Sequence, residues 1–484
     1  MSVNTPTPRK QRFIPPSSSH PVDQVLPAGR MATLGIQHLL IMYASAVAVP
    51  LIVGAAVGLP TESIAVLVSA DLLVSGIFTI IQAVGIGKIL GVRLPVVTAA
   101  TFTVLSPMII IATSFTDRTL GMQVVYGAMI CSGVFGVLIA KPFSRLIRFF
   151  PPLVAGTTIT IIGLSLIGAD VGLIAGEDPT AASYGQVSHI VLAVVVVLII
   201  VLISRFFTGF LNQIAVLISL VIGTIISGVM GLNDFSAVAD EKWIGFGGIF
   251  HFGPPKFQVA AIVSLCLVML VTFTESTADM LAVAEMVDKE LKPNDLARGL
   301  ANDGLSAVVG GVMNAFPDTS FAQNVGLVGI TRVHSRWVVA TTGVFLVIMG
   351  FIPKVGAVVA SIPGPVIGGA ATVMFAMVAA VGIQTLHKAN FKNNQNLLIV
   401  AVSLSFGMIP TVAPHFYDKF PEGFRMVFGS GITSTVIVVF ILNLLFNHWV
   451  RGPRGEHAVQ HAVDSGAGAP DTRGDDGPTR FVGE

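Results

Sequence analysis

Apolar segments of membrane-spanning length recur along almost the whole of this chain, divided by short polar breaks. They fall at about 33–57, 61–85, 95–113, 121–141, 150–169, 188–206, 212–231, 257–283, 296–315, 318–331, 335–353, 364–382, 395–411 and 427–448. With 53% hydrophobic and 11% charged residues over 484 positions, the chain reads as a polytopic membrane protein and not as a soluble enzyme. In hydrocarbon an unpaired backbone amide is costly, so irregular backbone survives only inside protein or beside a cavity. The expected fold class is all-α, with fourteen transmembrane segments.

The remaining composition narrows the partners. A net charge of +1 argues against nucleic acid. Cys131 and Cys266 both fall inside apolar spans, which speaks against a disulfide framework or a zinc site; no metal or cofactor is expected. The first thirty residues carry no apolar core followed by a cleavage site and read as a polar tail. Residues 450–484, rich in Gly, Asp and Pro, read as a disordered tail. Counting from a cytoplasmic N-terminus, only Arg118, Lys242, Lys256, Lys354, Lys419 and Arg425 of the 27 Lys and Arg fall outside. The positive-inside rule therefore places both termini in the cytoplasm of a multi-pass cell-membrane protein.

Two segments break the pattern. The run Phe316–Arg336, FPDTSFAQNVGLVGITRVHSR, is too short and too polar for an ordinary membrane helix. A broken span with amide side chains at its break points to a solute site near the midplane. The third segment is also short. Its LPVVTAATF, like PDTSFAQ in the tenth, runs from proline through Thr or Ser to an aromatic. The offset that aligns Pro95 with Pro317 also carries segment one onto segment eight. Paired breaks at matching ranks predict a 7+7 inverted repeat.

Segment eight holds Glu275 and Asp279 in VTFTESTADM, one turn apart on one helix face. An ionised carboxylate at the membrane centre costs at least ~2.5 kcal/mol, so both acids should face a cavity or a partner. Neighbouring carboxylates resist double ionisation, which suits proton uptake coupled to binding. Packing hydrogen bonds between helices are the bland alternative. Glu285 and Asp288, near the cytoplasmic end, are read as solvated.

Gln323 offers an acceptor and two donors, and Glu275 two acceptors, enough to read the edges of a flat heterocycle. Phe102 and Phe321 suit stacking on its faces or plain core packing, and half-helix N–H groups suit its carbonyls. Asn324 either ties the broken segment together or contacts the solute. His38, in GIQHLL, is either hydrogen-bonded across helices or a proton carrier. Asp303, Asp71 and Asp318 all need partners that the sequence does not name. Arg332 and Arg336 anchor the cytoplasmic end of the broken segment.

These residues coincide with three ordered motifs. QNVGLVGITRVHSR resembles the signature of the nucleobase–ascorbate transporters, also called the nucleobase–cation symporter 2 family. GIQHLL and TESTADM match two further motifs of that family, and the resemblance runs from about Arg30 to Trp449. It implies a core domain of spans 1–4 (31–149) and 8–11 (257–353). It also implies a gate domain of spans 5–7 (150–256) and 12–14 (354–449), flanked by the tails 1–30 and 450–484. Short antiparallel strands in spans three and ten would face each other, forming a small two-stranded β element.

Carried over by motif, Glu275 and Gln323 match the two substrate-binding positions, Phe102 and Phe321 match lining aromatics, and the Ala322 backbone would touch the substrate. Asp279, Asp303 and His38 match polar positions tied to coupling or site integrity, and Asn324 belongs with them. Gln at 323 and Asp at 279 resemble the purine branch, where uracil carriers have Glu and His. LPVVTAATF and RFFPP look most like bacterial uric acid and xanthine permeases, with Thr101-Phe102 fitting the uric acid subgroup. The implied activity is proton-coupled import of uric acid or xanthine, with no cofactor beyond the proton. A homodimer through the gate domain in a lipid bilayer is implied as well. The rivals are a uracil–proton symporter and an anion exchanger of the same architecture. A channel lacks its ring of repeated charged or carbonyl-lining motifs, and an intramembrane enzyme lacks HExxH, GxSxG or a Cys constellation.

Overall fold

A computed structural model describes residues 20–146, 151–176, 184–392 and 394–449. Most of the expected N-terminal tail, the whole C-terminal tail and the first three residues of RFFPP, Arg148 among them, lie outside the described residues.

Proline and glycine set the boundaries of the first helices. α1 (Ala28–Val57) starts after Pro27 and stops at Gly58, whose φ of +73° favours glycine. α2 (Thr61–Val84) follows Pro60. The chain then turns extended through β1 (Thr98–Ala100), makes a 3-10 turn at Phe102–Val104 and continues as α3 (Leu105–Thr113). After it come α4 (Arg118–Leu146), α5 (Pro152–Ser165), α6 (Ile167–Ala175), α7 (Val187–Phe206), α8 (Phe210–Gln213), α9 (Ala215–Val229) and α10 (Ser236–Asp240). A loop leads to α11 (Val259–Met286) and α12 (Pro293–Met313), then β2 (Asp318–Ser320) and α13 (Ala322–Thr331). The rest of the fold is α14 (Arg336–Gly350), α15 (Pro353–Ala360), α16 (Gly364–Leu386), α17 (Asn394–Val412), α18 (Glu422–Phe428) and α19 (Gly431–Asn443).

Eight described helices are long and apolar enough to cross a membrane, or ten if the bent pairs α14–α15 (81°) and α18–α19 each count as one. Four of the fourteen apolar runs do not form such a helix. Segments three and ten are each a strand followed by a short helix, and segment seven is the 15-residue helix α9. Segment nine, α12, carries Asp295, Arg298, Asn302 and Asp303 and falls short in hydropathy; its polar groups are buried against α4 and α2.

Small residues bring these helices together, as expected where lipid tails give apolar contacts no advantage. A Cβ on Gly133 of α4 would stand 2.7 Å from Gly304 O of α12. One on Gly76 of α2 would stand 2.7 Å from Val347 N of α14. α5 and α16 meet similarly through Gly156, Gly163 and Gly382.

Inside this packing sits one short ribbon. β1 and β2 pair antiparallel with Thr98 opposite Ser320, Ala99 opposite Thr319 and Ala100 opposite Asp318, all buried. Thr101 N donates to Pro317 O at 3.0 Å and Phe321 N to Val97 O at 2.9 Å, extending the ribbon at both ends. The helices α3 and α13 therefore depart from opposite ends of the ribbon.

Candidate functional site

A two-stranded ribbon leaves its outer N–H groups unpaired, and buried ones need partners. Hydroxyls on three helices supply them. Thr79 Oγ1 of α2 accepts from Thr98 N at 3.0 Å, and Ser306 Oγ of α12 accepts from Asp318 N at 3.2 Å. Ser276 Oγ of α11 accepts from Ser320 N at 3.0 Å and lies 2.9 Å from Thr319 Oγ1. None of these three hydroxyls was singled out by the sequence. The available signal for Ser276 was its place beside Glu275 in TESTADM.

One residue before that anchor, Glu275 is received by the turn that follows β1. Thr103 Oγ1 donates to Glu275 Oε1 at 2.9 Å and Thr101 Oγ1 donates to Oε2 at 3.3 Å. The carboxylate is thus bound through both oxygens, yet Glu275 and Asp279 are only partly buried. Asp279, one turn along, makes no hydrogen bond among the described residues and lies within electrostatic reach of Glu275. Phe102 packs edge-on against Phe375 of α16 at 5.7 Å, and Phe321 is buried at the mouth of α13.

At the opposite end of the ribbon, α13 begins with Ala322 exposed and Gln323 partly exposed. The Gln323 amide makes no hydrogen bond among the described residues. Asn324 turns the other way: its Nδ2 donates to His38 O at 2.9 Å and lies 3.0 Å from His38 Nδ1, tying α13 to α1. His38 is buried beneath that tie. α11 packs against β2, α13 and the 3-10 turn, so it passes both ends of the ribbon.

The structure supplies partners for two of the unexplained acids. Asp318 Oδ1 accepts from Ser75 Oγ at 2.8 Å, and Asp71 Oδ1 accepts from Phe316 N at 3.3 Å, which secures β2 to α2. Asp303 is fully buried with neither carboxylate oxygen hydrogen-bonded; the nearby Ser276 hydroxyl is engaged with the strand. Arg336 joins the end of α2 to the start of α14. Its Nη1 donates to Ala83 O and Val84 O, each at 2.9 Å, and its Nε to Asp23 Oδ1 at 2.7 Å. Arg332 is the C-cap of α13 in the left-handed region, at φ +53°. Beside this cluster, burial lowers the Lys289 ammonium from its ordinary range, opposed by Asp23; its Nζ donates to Arg93 O at 3.0 Å.

Two apolar gaps lie elsewhere. One is lined by α5, α11 and α19, and the other runs between Val104, Leu265 and Pro317; neither is lined by Glu275 or Gln323. The site is therefore defined by its polar chemistry and not by these gaps. Among the described residues no group of three or more His, Cys, Asp or Glu is arranged to hold an ion.

A multi-pass helical protein with two half-helices springing from a buried ribbon, and acids and amides gathered around it, is built as a membrane transporter and not as an enzyme. The Permease family matches residues 29–416, and the chain belongs to that family. The chain is 42% identical to the uric acid transporter UacT of Escherichia coli over 88% of each chain. It is 43% identical to the nucleobase transporter PlUacP of Paenibacillus larvae over 86% of this chain and 94% of the relative. It is 40% identical to the xanthine permease of Bacillus subtilis, over 90% and 98%. Among solved structures, the murine anion transporter Solute Carrier 26 family member A9, inward-facing, shares the fold. Its TM-score is 0.59 at 13% identity, over 90% of this chain and 73% of that one. The transmembrane domain of the cyanobacterial bicarbonate transporter BicA does so with a TM-score of 0.54 at 15% identity, over 86% and 96%.

Proposed function

We propose that this chain is a proton-coupled importer of oxidised purines, uric acid or xanthine. The observation that carries the reading is Glu275, a carboxylate in a membrane helix that is held by two hydroxyls yet left partly open, on the helix that passes both chain breaks. Its Oε2 accepts from an N–H group on one purine edge in either protonation state, and Oε1 can accept from the adjacent one while the group is ionised. The unpaired amide of Gln323 and the backbone N–H groups at Ala322 read carbonyls and the remaining nitrogens. Phe102 and Phe321 line the ring faces, and Thr101 completes the substrate side of Glu275. The names of the relatives support this substrate class.

Proton uptake at Glu275 and Asp279 accompanies binding, with Asp303, His38 and Asn324 maintaining the site. Coupling requires that affinity differ between protonation states, because a ligand bound equally by both shifts nothing. The proton is the only coupling species in this reading; no cofactor takes part. Spans 1–4 and 8–11 form the core that moves against a gate of spans 5–7 and 12–14, and the gate pairs two copies in the bilayer. The inverted repeat of seven spans is supported by a matched device: in each half, a hydroxyl on the helix before the strand accepts the N–H of the strand's first residue. Both termini lie in the cytoplasm.

The test is uptake of labelled uric acid, xanthine and uracil by cells expressing the chain, with and without a protonophore. Saturable purine uptake that collapses with the protonophore is expected, and Glu275→Gln should abolish or cripple it. Near-normal transport by that variant sinks the assignment, and uptake of uracil without purines overturns the purine reading. No uptake of any base by protein shown to be in the membrane moves the function to the anion-exchanger rival.

A further inference from the structure

The 3-10 turn Phe102–Val104 sets two hydroxyls against one carboxylate, and the two are not equivalent. Thr101 Oγ1 donates to Glu275 Oε2 but also accepts from Thr103 N at 3.2 Å, so it caps the turn and is fixed by the backbone. Thr103 Oγ1 donates to Glu275 Oε1 at 2.9 Å and makes no second hydrogen bond among the described residues. A hydroxyl has one donor and two lone pairs. An ionised Glu275 accepts on both oxygens, which is the arrangement these distances describe. A protonated Glu275 needs an acceptor for its new O–H, and the lone pairs of Thr103 Oγ1 are already within reach of Oε1.

We propose that Thr103 is a positioning residue for Glu275, its hydroxyl turning from donor to acceptor as Glu275 gains a proton on Oε1. The carboxyl group thereby keeps its place in both protonation states. The proton arrives from one aqueous side and leaves toward the other, while Thr103 retains its own hydrogen throughout. This rests on Glu275 being the acid that binds purine and proton.

The charged surroundings leave that exchange to the hydroxyls. Asp279, on the same helix, is the ionisable group that acts with Glu275; Asp303 of α12 faces Asp279 and Asp318 of β2. β1, the 3-10 turn, α3, α5 and α13 bring no charged side chain to α11. The other charged groups on helices packed against α11 are Arg118, Lys141 and Arg145 near the ends of α4, Asp295 and Arg298 in the first turns of α12, and Glu422 and Arg425 of α18.

Thr103→Val keeps the side-chain shape and removes the hydroxyl. Hydrogen bonds to a charged group are the strong ones, so the anion loses more than the acid does. Because the carboxyl group also loses its anchor in both protonation states, the KM for uric acid or xanthine uptake should rise roughly tenfold or more, with maximal rate much less affected. The pH dependence of KM should move to higher pH, because the ionised form has lost a donor. Thr103→Ser should return both properties toward the parent chain.

The experiment measures KM and maximal rate across pH at matched membrane levels for the parent chain, Thr103→Val and Thr103→Ser. An unchanged KM and pH profile in Thr103→Val overturns the proposal. So does a drop in maximal rate by one factor at every pH that Ser fails to reverse. Should Thr103→Val not reach the membrane, Thr103→Ala takes its place with the same criteria. A parent chain that takes up neither purine, or a Glu275→Gln variant that transports normally, overturns the proposed function instead and is read first.

Discussion

Gln323 and Asn324 are adjacent amides with opposite surroundings. Asn324 commits its Nδ2 to His38 and is buried, whereas Gln323 is partly exposed with no hydrogen bond among the described residues. An amide with free donors and acceptor at a helix start is poised for a ligand, and exchange to a carboxylate removes both donors. Gln323→Glu should therefore lose or shift purine recognition, read by competition of unlabelled bases against labelled uric acid; an unchanged profile would remove Gln323 from the site. The residue scale also explains which side chains were legible. Glu275 and Gln323 stand out because such groups in an apolar run demand a reason. Thr103 and Ser276 do not, because hydroxyls in membrane helices commonly bond to their own backbone one turn back. Thr272 and Thr274, close by on α11, do so, with Val268 O and Leu270 O as acceptors at 3.2 and 3.0 Å. Nothing in the composition of VTFTEST tells one kind of hydroxyl from the other.

At the scale of elements, glycine decides how closely the helices approach. Gly133 has Val308 N 2.6 Å and Gly304 O 2.7 Å from where a Cβ would stand, and backbone cannot step aside as a side chain end can. Gly133→Val should destabilise the protein by about 1–3 kcal/mol or more, seen as a lower melting midpoint of the purified protein in detergent. Gly172 in α6 is the contrast, since a Cβ there would meet nothing within 4 Å. Gly172→Ala should raise the midpoint, by roughly 0.5–1 kcal/mol of stability. Equal effects from the two substitutions would refute the close-approach argument. The ribbon follows the same logic. Three residues per strand are too few for independent stability, so the pairing depends on Thr79, Ser276 and Ser306 arriving from three helices.

For the molecule as a whole, the asymmetry of Lys and Arg predicts which loops face which side. In a background lacking Cys131 and Cys266, a cysteine at Lys242 should react with an impermeant thiol reagent added outside intact cells. One at Lys388 should react only after the membrane is opened; the reverse pattern would invert the topology. The apolar runs and the positions of the acids follow from sequence alone, because the bilayer penalises each polar group one residue at a time and leaves a local mark. The same marks carry the three motifs that lead to the permease family. How many runs become full-length helices is not local: α12 is polar for its length yet buried between α2 and α4, and segments three and ten resolve into strand and short helix. Tertiary structure also decided the partners: Thr103 on Glu275, Asn324 on His38, and Ser75 on Asp318, the last two pairs 286 and 243 residues apart in the chain. Contacts of that separation depend on how helices cross, and a one-dimensional pattern of apolar and polar residues fixes which faces are buried but not which faces meet.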